Sequence, residues 1–113
     1  MNISDEQLSG GIWRIKLDGR MDIAGAGSID LRLTGMTAAP RTALVLDLTQ
    51  VSFLASMGIR SLMMTAKAVT RRGAKLALVC PDGDVRGVLA TSGVDQLIPV
   101  FPILADAVSK VSG

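Results

Sequence analysis

Polar and apolar residues alternate through GIWRIKLDG, with Gly11, Trp13, Ile15 and Leu17 on one side and Ile12, Arg14 and Lys16 on the other. This period of two predicts a half-buried strand ending at Asp18-Gly19, despite the mismatch at Ile12. A shorter strand is expected before it, over about residues 3–8, with Ser9-Gly10-Gly11 as the turn. From Asp22 the period lengthens. Ile23, Ala26, Ile29, Leu33 and Met36 recur at helical spacing, Asp22 is placed to cap them, and Pro40 closes the segment. Gly25, Gly27 and Gly35 lower helix propensity there and predict an irregular helix. TALVLDL, residues 42–48, is a β-branched and leucine run of the kind covered on both faces of a sheet, and AKLALVCP repeats it. DGDVRGVLATSG reads as a shorter helix ended by Gly93, VDQLIPVF as a last short strand and ILADAVSKV as a terminal helix. The expected order is β-β-α-β-α-β-α-β-α, and the unit from Leu44 to Val79 is a parallel crossover, right-handed by rule.

The helix that follows FLAS carries the strongest periodicity. With Ile59 at the centre of the inward face, Leu62, Met63, Ala66, Val69 and Thr70 fall near it at about 100° per residue. Met57, Ser61, Met64, Ala68 and Arg71 fall on the side expected in solvent. Arg60 and Lys67 lie on a flank, with Ser56 at the entrance on that same flank. Two outward methionines read either as scattered surface apolars or as a soft contact surface for a protein partner.

Composition narrows the chemistry. At 113 residues the chain is one domain, and Trp13, Phe53 and Phe101 are its only aromatics, so the core is built from Leu, Ile, Val, Ala and Met. The net charge of +2 is too small to argue for nucleic acid. Arg71, Arg72 and Lys75 read as cations near a helix C-terminus. The lone Cys80 reads as a buried thiol in a reducing compartment. No apolar run approaches a membrane span and the N-terminus has no signal-peptide pattern, so a cytoplasmic protein without membrane insertion is expected. The absence of histidine removes Ser-His-Asp and Cys-His catalysis and the common zinc sites, so no enzyme, metal or cofactor is expected.

Ser56 carries two readings. Its local pattern is that of an N-cap, whose hydroxyl would accept a free backbone N–H. The same place suits phosphorylation, because a phosphate there meets unpaired N–H groups and the positive end of the helix dipole.

With its neighbours, that stretch resembles the STAS domain family, the fold of bacterial anti-sigma factor antagonists. LDGRMDIAGAG resembles the family's strand end and first helix. LVLDLTQVSFLASMGIRSL resembles its hydrophobic-Asp-Leu hallmark, which runs into Asp-Ser-x-Gly-Leu. RRGAKLALVCPDGDVRGVLATSGVDQLIPVF resembles the segment leading to Thr-Gly-Leu-Asp. The resemblance implies an α/β single domain over residues 1–113, a mixed sheet of four to five strands packed against about four helices. It further implies a partner-switching cycle. A serine-kinase anti-sigma factor phosphorylates Ser56, the unphosphorylated antagonist docks on that kinase, and a PP2C-type phosphatase reverses the mark. Asp22 matches the acid opening the first helix near the partner-binding edge, Asp47 the acid ending the central strand, and Gly58 the glycine of the tight turn into the helix. The local alternatives are an N-cap for Asp22 and a strand-end hydrogen-bonding role for Asp47. Ala55, Met57, Arg60 and Met64 complete the expected contact surface.

The chain departs from the family pattern at Ala55, where Asp usually precedes the serine, and at Met57, where a small polar residue often follows. A kinase that reads Asp-Ser should read this site less well. Two further readings therefore stand beside the switch. One is a STAS scaffold or regulatory subunit, in a stress-sensing assembly or a lipid transporter, indifferent to Ser56. The other is an enzyme or nucleotide-binding protein, against which the lack of any phosphate-cradling glycine loop and of histidine counts.

Overall fold

A computed structural model describes residues 1–38 and 40–112. Its elements are β1 (Asn2–Gln7), β2 (Trp13–Met21), α1 (Ile23–Met36), β3 (Ala43–Leu54), α2 (Ser56–Arg71), β4 (Lys75–Val79), α3 (Asp84–Ser92), α4 (Val94–Leu97), β5 (Val100–Phe101) and α5 (Leu104–Ser112). The strands form one sheet in the order β1-β2-β3-β4-β5, antiparallel between β1 and β2 and parallel thereafter. The parallel crossover expected between residues 44 and 79 is β3–α2–β4.

Both faces of the sheet are covered, which explains the continuous apolar run in β3. Leu44, Leu46 and Leu48 join Ile15, Leu17, Ile29, Leu33, Leu62 and Leu89 beneath α1 to α4. Val45 instead joins Ile12, Ala77, Val79, Ala107 and Val111 beneath α5. Ile12, which breaks the alternation in sequence, is buried because α5 covers that face too. Cys80 is buried just beyond β4, and burial pushes its thiol pKa up.

Several boundaries differ from the sequence expectation. β2 runs on through Gly19 to Met21, and β3 through Val51 to Leu54, because the two strands pair with each other out to Met21–Leu54. β4 pairs with β3 only as far as Asp47, so residues 48–54 continue as a two-stranded ribbon with β2. VDQL is a helical turn, and only Val100–Phe101 pair as a strand. α1 is a continuous helix rather than an irregular one. Gly25 is required in it, since a Cβ would strike the Arg20 carbonyl oxygen. Gly27 and Gly35 face open space, and each costs about 0.5–1 kcal/mol relative to alanine.

Asp47 is the charged exception inside the sheet, with only 2% of its surface exposed. Its Oδ1 accepts from the Thr49 backbone N–H at 2.9 Å and from the Thr49 hydroxyl. Its Oδ2 accepts from Arg14 Nε at 2.9 Å and Nη2 at 2.5 Å. Burial alone would raise the carboxyl pKa, but Thr49 and Arg14 outweigh it and hold the group below the usual carboxylate range. A depressed folded pKa stabilises the protein above the ordinary carboxylate value and loses that contribution as pH falls through the folded value. Asp47→Asn is therefore expected to cost about 2–3 kcal/mol at pH 7, by taking the buried anion from Arg14 and leaving it only the exposed Glu6, whose Oε1 lies 2.7 Å from Nη1. The difference from wild type should shrink below about pH 4 in denaturant melts. A constant difference down to pH 2 would show that the ionised pair is not its source.

Candidate functional site

The protruding β2–β3 ribbon brings four chain segments to one edge. β2 ends there at Met21 and α1 begins at Ile23, while β3 ends at Leu54 and α2 begins at Ser56. Two helix N-termini thus open at the carboxyl ends of two parallel strands, the place where ligands meet α/β sheets. The turn into α2 is fixed by long-range contacts. The Ala55 N–H donates to the Met21 carbonyl at 3.2 Å, and the Ala55 carbonyl accepts from Ile59 N–H at 3.0 Å.

That geometry corrects the expected role of Ser56. Ala55, in extended conformation (φ −120°, ψ −176°), is the N-cap, and Ser56 is the first residue of the helix. The tether to Met21 holds Ala55 at the cap although alanine is a poor residue for it. Since the first helical bond comes from Ile59, the N–H groups of Ser56, Met57 and Gly58 have no acceptor within the helix. Ser56 is exposed, and its hydroxyl makes no hydrogen bond among the described residues. Ala55→Asp would place an acceptor at the cap and should raise stability by about 1 kcal/mol, a few degrees in Tm. No gain in a thermal melt would mean that those N–H groups are already satisfied.

Gly58 is buried against the ribbon, and a Cβ would lie 2.7 Å from Leu54 Cδ1, Met21 Cγ and the Met21 carbonyl oxygen. The expected tight passage is thus a close approach of the first turn of α2 to the same carbonyl that holds Ala55. Asp22 takes its alternative role as N-cap of α1, its Oδ1 accepting from Gly25 N–H at 2.8 Å. That bond first, and the charge of Arg20 after it, lower the Asp22 pKa. Arg20 Nε lies 3.6 Å from Asp22 Oδ2, and its guanidinium stacks 4.2 Å from the Phe53 ring centroid.

The outward methionines are where the helical period placed them, Met57 37% and Met64 58% exposed. With Arg60, Ala68 and Thr65 from α2 and Asp30 from α1 they line a groove of about 410 Å³ between the two helices. Ser61 and Thr70 are corrections to the α2 faces. Ser61 is buried and donates to Asp30 Oδ1 at 2.7 Å, whereas Thr70 is exposed. α1 packs along that side of α2, so the buried face turns towards α1 and takes in Thr65 as well. Ala55, Ser56, Met57 and Gly58 thus share one end of α2, with Asp22 across the turn and Arg60 and Met64 one and two helical turns along. Asp47 stands apart, its carboxylate consumed inside the sheet.

Sequence reasoning passed over Arg20, Ile23 and Phe53 as site residues. Phe53 is 39% and Ile23 75% exposed, and both border the same edge. The signal for Arg20 and Ile23 is the GRMDI string, where the strand end and the helix start are adjacent in sequence, and for Phe53 the VSFLAS string that ends β3.

A five-stranded mixed sheet with helices on both faces and a serine opening the helix after the central strand defines an α/β domain of the STAS type. Residues 5–107 match the STAS domain family, and the chain belongs to that family. It is similar to the anti-sigma-F factor antagonist RsfB of Mycobacterium tuberculosis, 28% identical over 103 residues that cover 91% of this chain and 84% of that protein. The crystal structure of an anti-sigma factor antagonist from Mycobacterium paratuberculosis superposes with a TM-score of 0.90 at 25% identity, covering 99% of this chain and 94% of that one. The Bacillus cell fate determinant SpoIIAA in its phosphorylated form shares the fold, with a TM-score of 0.70 at 17% identity over 97% of this chain and 99% of that one.

Proposed function

We propose that this chain is an anti-sigma factor antagonist whose docking on a serine-kinase anti-sigma factor is controlled by phosphorylation of Ser56. The observation that carries the reading is the exposed, uncommitted Ser56 hydroxyl beside three N–H groups without helical acceptors. A phosphoryl group transferred there from ATP would be held by those donors and by the helix dipole, so the helix need not rearrange. What changes is the surface. Nearly two negative charges and added bulk arise beside Met57 and Phe53, where an apolar partner face would have to desolvate them. The unphosphorylated chain offers Met57, Met64 and Phe53 as adaptable apolar contacts, with Arg60 and Asp22 at the rim. A PP2C-type phosphatase would restore that surface. The similarity to RsfB and to the M. paratuberculosis antagonist supports the assignment of partner class.

Replacing both Met57 and Met64 by serine should weaken binding to the anti-sigma factor by about tenfold or more while leaving the fold intact, because both side chains are exposed. Unchanged affinity by calorimetry would move the docking face away from α2.

Ala55 favours a second reading, in which the domain is a scaffold or regulatory subunit that binds its partner regardless of Ser56. Without the carboxylate that usually precedes the serine, one recognition element for the kinase is missing. This reading predicts stable co-purification with one partner and no response to Ser56→Asp.

A further inference from the structure

We propose that the outer face of α1 is a self-association surface, on which a second copy of this chain packs with its own α1 antiparallel. Ile23, Gly27, Leu31 and Gly35 follow one another at four-residue intervals and form a single ridge along the helix. All four are exposed, Ile23 at 75% and Leu31 at 86%. Among the described residues of one copy, none of the four has a structural reason. Among the described residues, added Cβ atoms at Gly27 and Gly35 would meet nothing within 4 Å, so neither glycine is needed for packing there, in contrast to Gly25. Two helix-weakening glycines and two of the most exposed large apolar residues therefore share one line of one helix.

A helix crossing explains all four together. When the ridge of α1 meets the same ridge of a second copy in antiparallel sense, Ile23 falls opposite the second copy's Gly35, and Leu31 opposite the second copy's Gly27. Every large side chain then enters a gap left by a glycine. The pattern is self-complementary, as a two-fold interface requires, and ridges at four-residue spacing are those of the commonest helix-crossing class. In a parallel arrangement in register, Ile23 and Leu31 would instead meet their own copies and the glycines would face one another across a void. Asp30, the acid beside the row, is turned towards α2 by its bond from Ser61 at 2.7 Å. Arg32, on the other side, is tied back to the Ile3 carbonyl at 2.7 Å. Neither charge has to be desolvated between the ridges.

The size of the contact sets its strength. The ridge is about 18 Å long at 1.5 Å rise per residue. A single helix pair of that length stays below the roughly 1,000 Å² of a stable interface, so the dimer is transient. This inference does not rest on phosphorylation of Ser56, and of the residues at the site's edge it involves Ile23 but neither Met57 nor Met64.

Sedimentation equilibrium of the full chain from about 10 μM to about 1 mM tests it, with a dimer expected to accumulate over that range. Gly27→Leu fills the gap and Leu31→Glu charges the knob, and each should raise the dimer Kd at least about tenfold. Gly27→Leu should at the same time keep or raise the Tm measured at low concentration, since leucine is the better helix former and meets open space in the monomer. A chain that stays monomeric to about 1 mM overturns the proposal, as does a Gly27→Leu variant that dimerises as well as wild type. Mixing Gly27→Cys with Leu31→Cys under mild oxidation checks the register. The mixed disulfide is expected to dominate, and preferential 27–27 or 31–31 cross-links would contradict the antiparallel packing.

Discussion

Incubated with its serine-kinase anti-sigma factor and ATP, the chain is expected to gain one phosphate by intact mass, and Ser56→Ala to gain none. The expectation rests on position more than on residue type. Other serines and threonines are exposed, but Ser56 opens a sixteen-residue helix whose first N–H groups lack acceptors. The substitution is also mild for the fold. The cap is Ala55, so losing the Ser56 hydroxyl removes no capping bond, and the Tm of Ser56→Ala should stay close to wild type. A full-strength signal from the alanine variant would place the modification elsewhere and remove Ser56 from the switch. Ala55 bears on the rate of labelling. Restoring the carboxylate with Ala55→Asp should speed labelling if the kinase reads the preceding acid.

The second large effect is expected at Gly58. A methyl group there would sit 2.7 Å from the Met21 carbonyl oxygen and from two core side chains. The side-chain atoms can shift, but the carbonyl is held by the backbone and already accepts the Ala55 N–H. Gly58→Ala must therefore push α2 away from the ribbon, at a cost of about 2–3 kcal/mol, and Gly58→Val more. Set against this is the gain in helix propensity from replacing glycine, about 1 kcal/mol, which is too small to reverse the sign. The displaced α2 N-terminus would carry Ser56 with it, so labelling should fall together with stability. Urea melts measure the first effect. An unchanged midpoint for Gly58→Val would mean that the close approach at Met21 is not tight in solution.

These two residues also show where sequence was informative and where it was not. The β3 run was legible because burial on both sheet faces leaves a continuous apolar string. The outward Met57 and Met64 followed from helical period alone. Gly58 was visible only through the family pattern, since a glycine in a helical stretch has many possible reasons, and the carbonyl that requires it lies thirty-seven residues earlier in the chain. The exchange of Ser56 for Ala55 as cap has the same origin: the Met21 tether is a tertiary contact that overrides a local preference. Periodicity alone turns Ser61 outward because it assumes one covered face, whereas α2 is covered by the sheet and by α1. Asp47 looked like a partner residue in sequence order. Its partners Arg14 and Thr49, the first on a neighbouring strand, make it part of the framework.

The framework and the edge have separable consequences. Changes at Asp47 or Gly58 should appear first as lost stability, whereas changes at Met57, Met64 or Ser56 should leave the melt alone and alter binding. The central claim is that one phosphate on Ser56 decides whether the antagonist docks. Calorimetric titration of the anti-sigma factor with the unphosphorylated chain, and then with the singly phosphorylated chain, tests it most directly. Submicromolar binding that weakens by about a hundredfold or more on phosphorylation is the expected result; equal affinity for the two forms would contradict it.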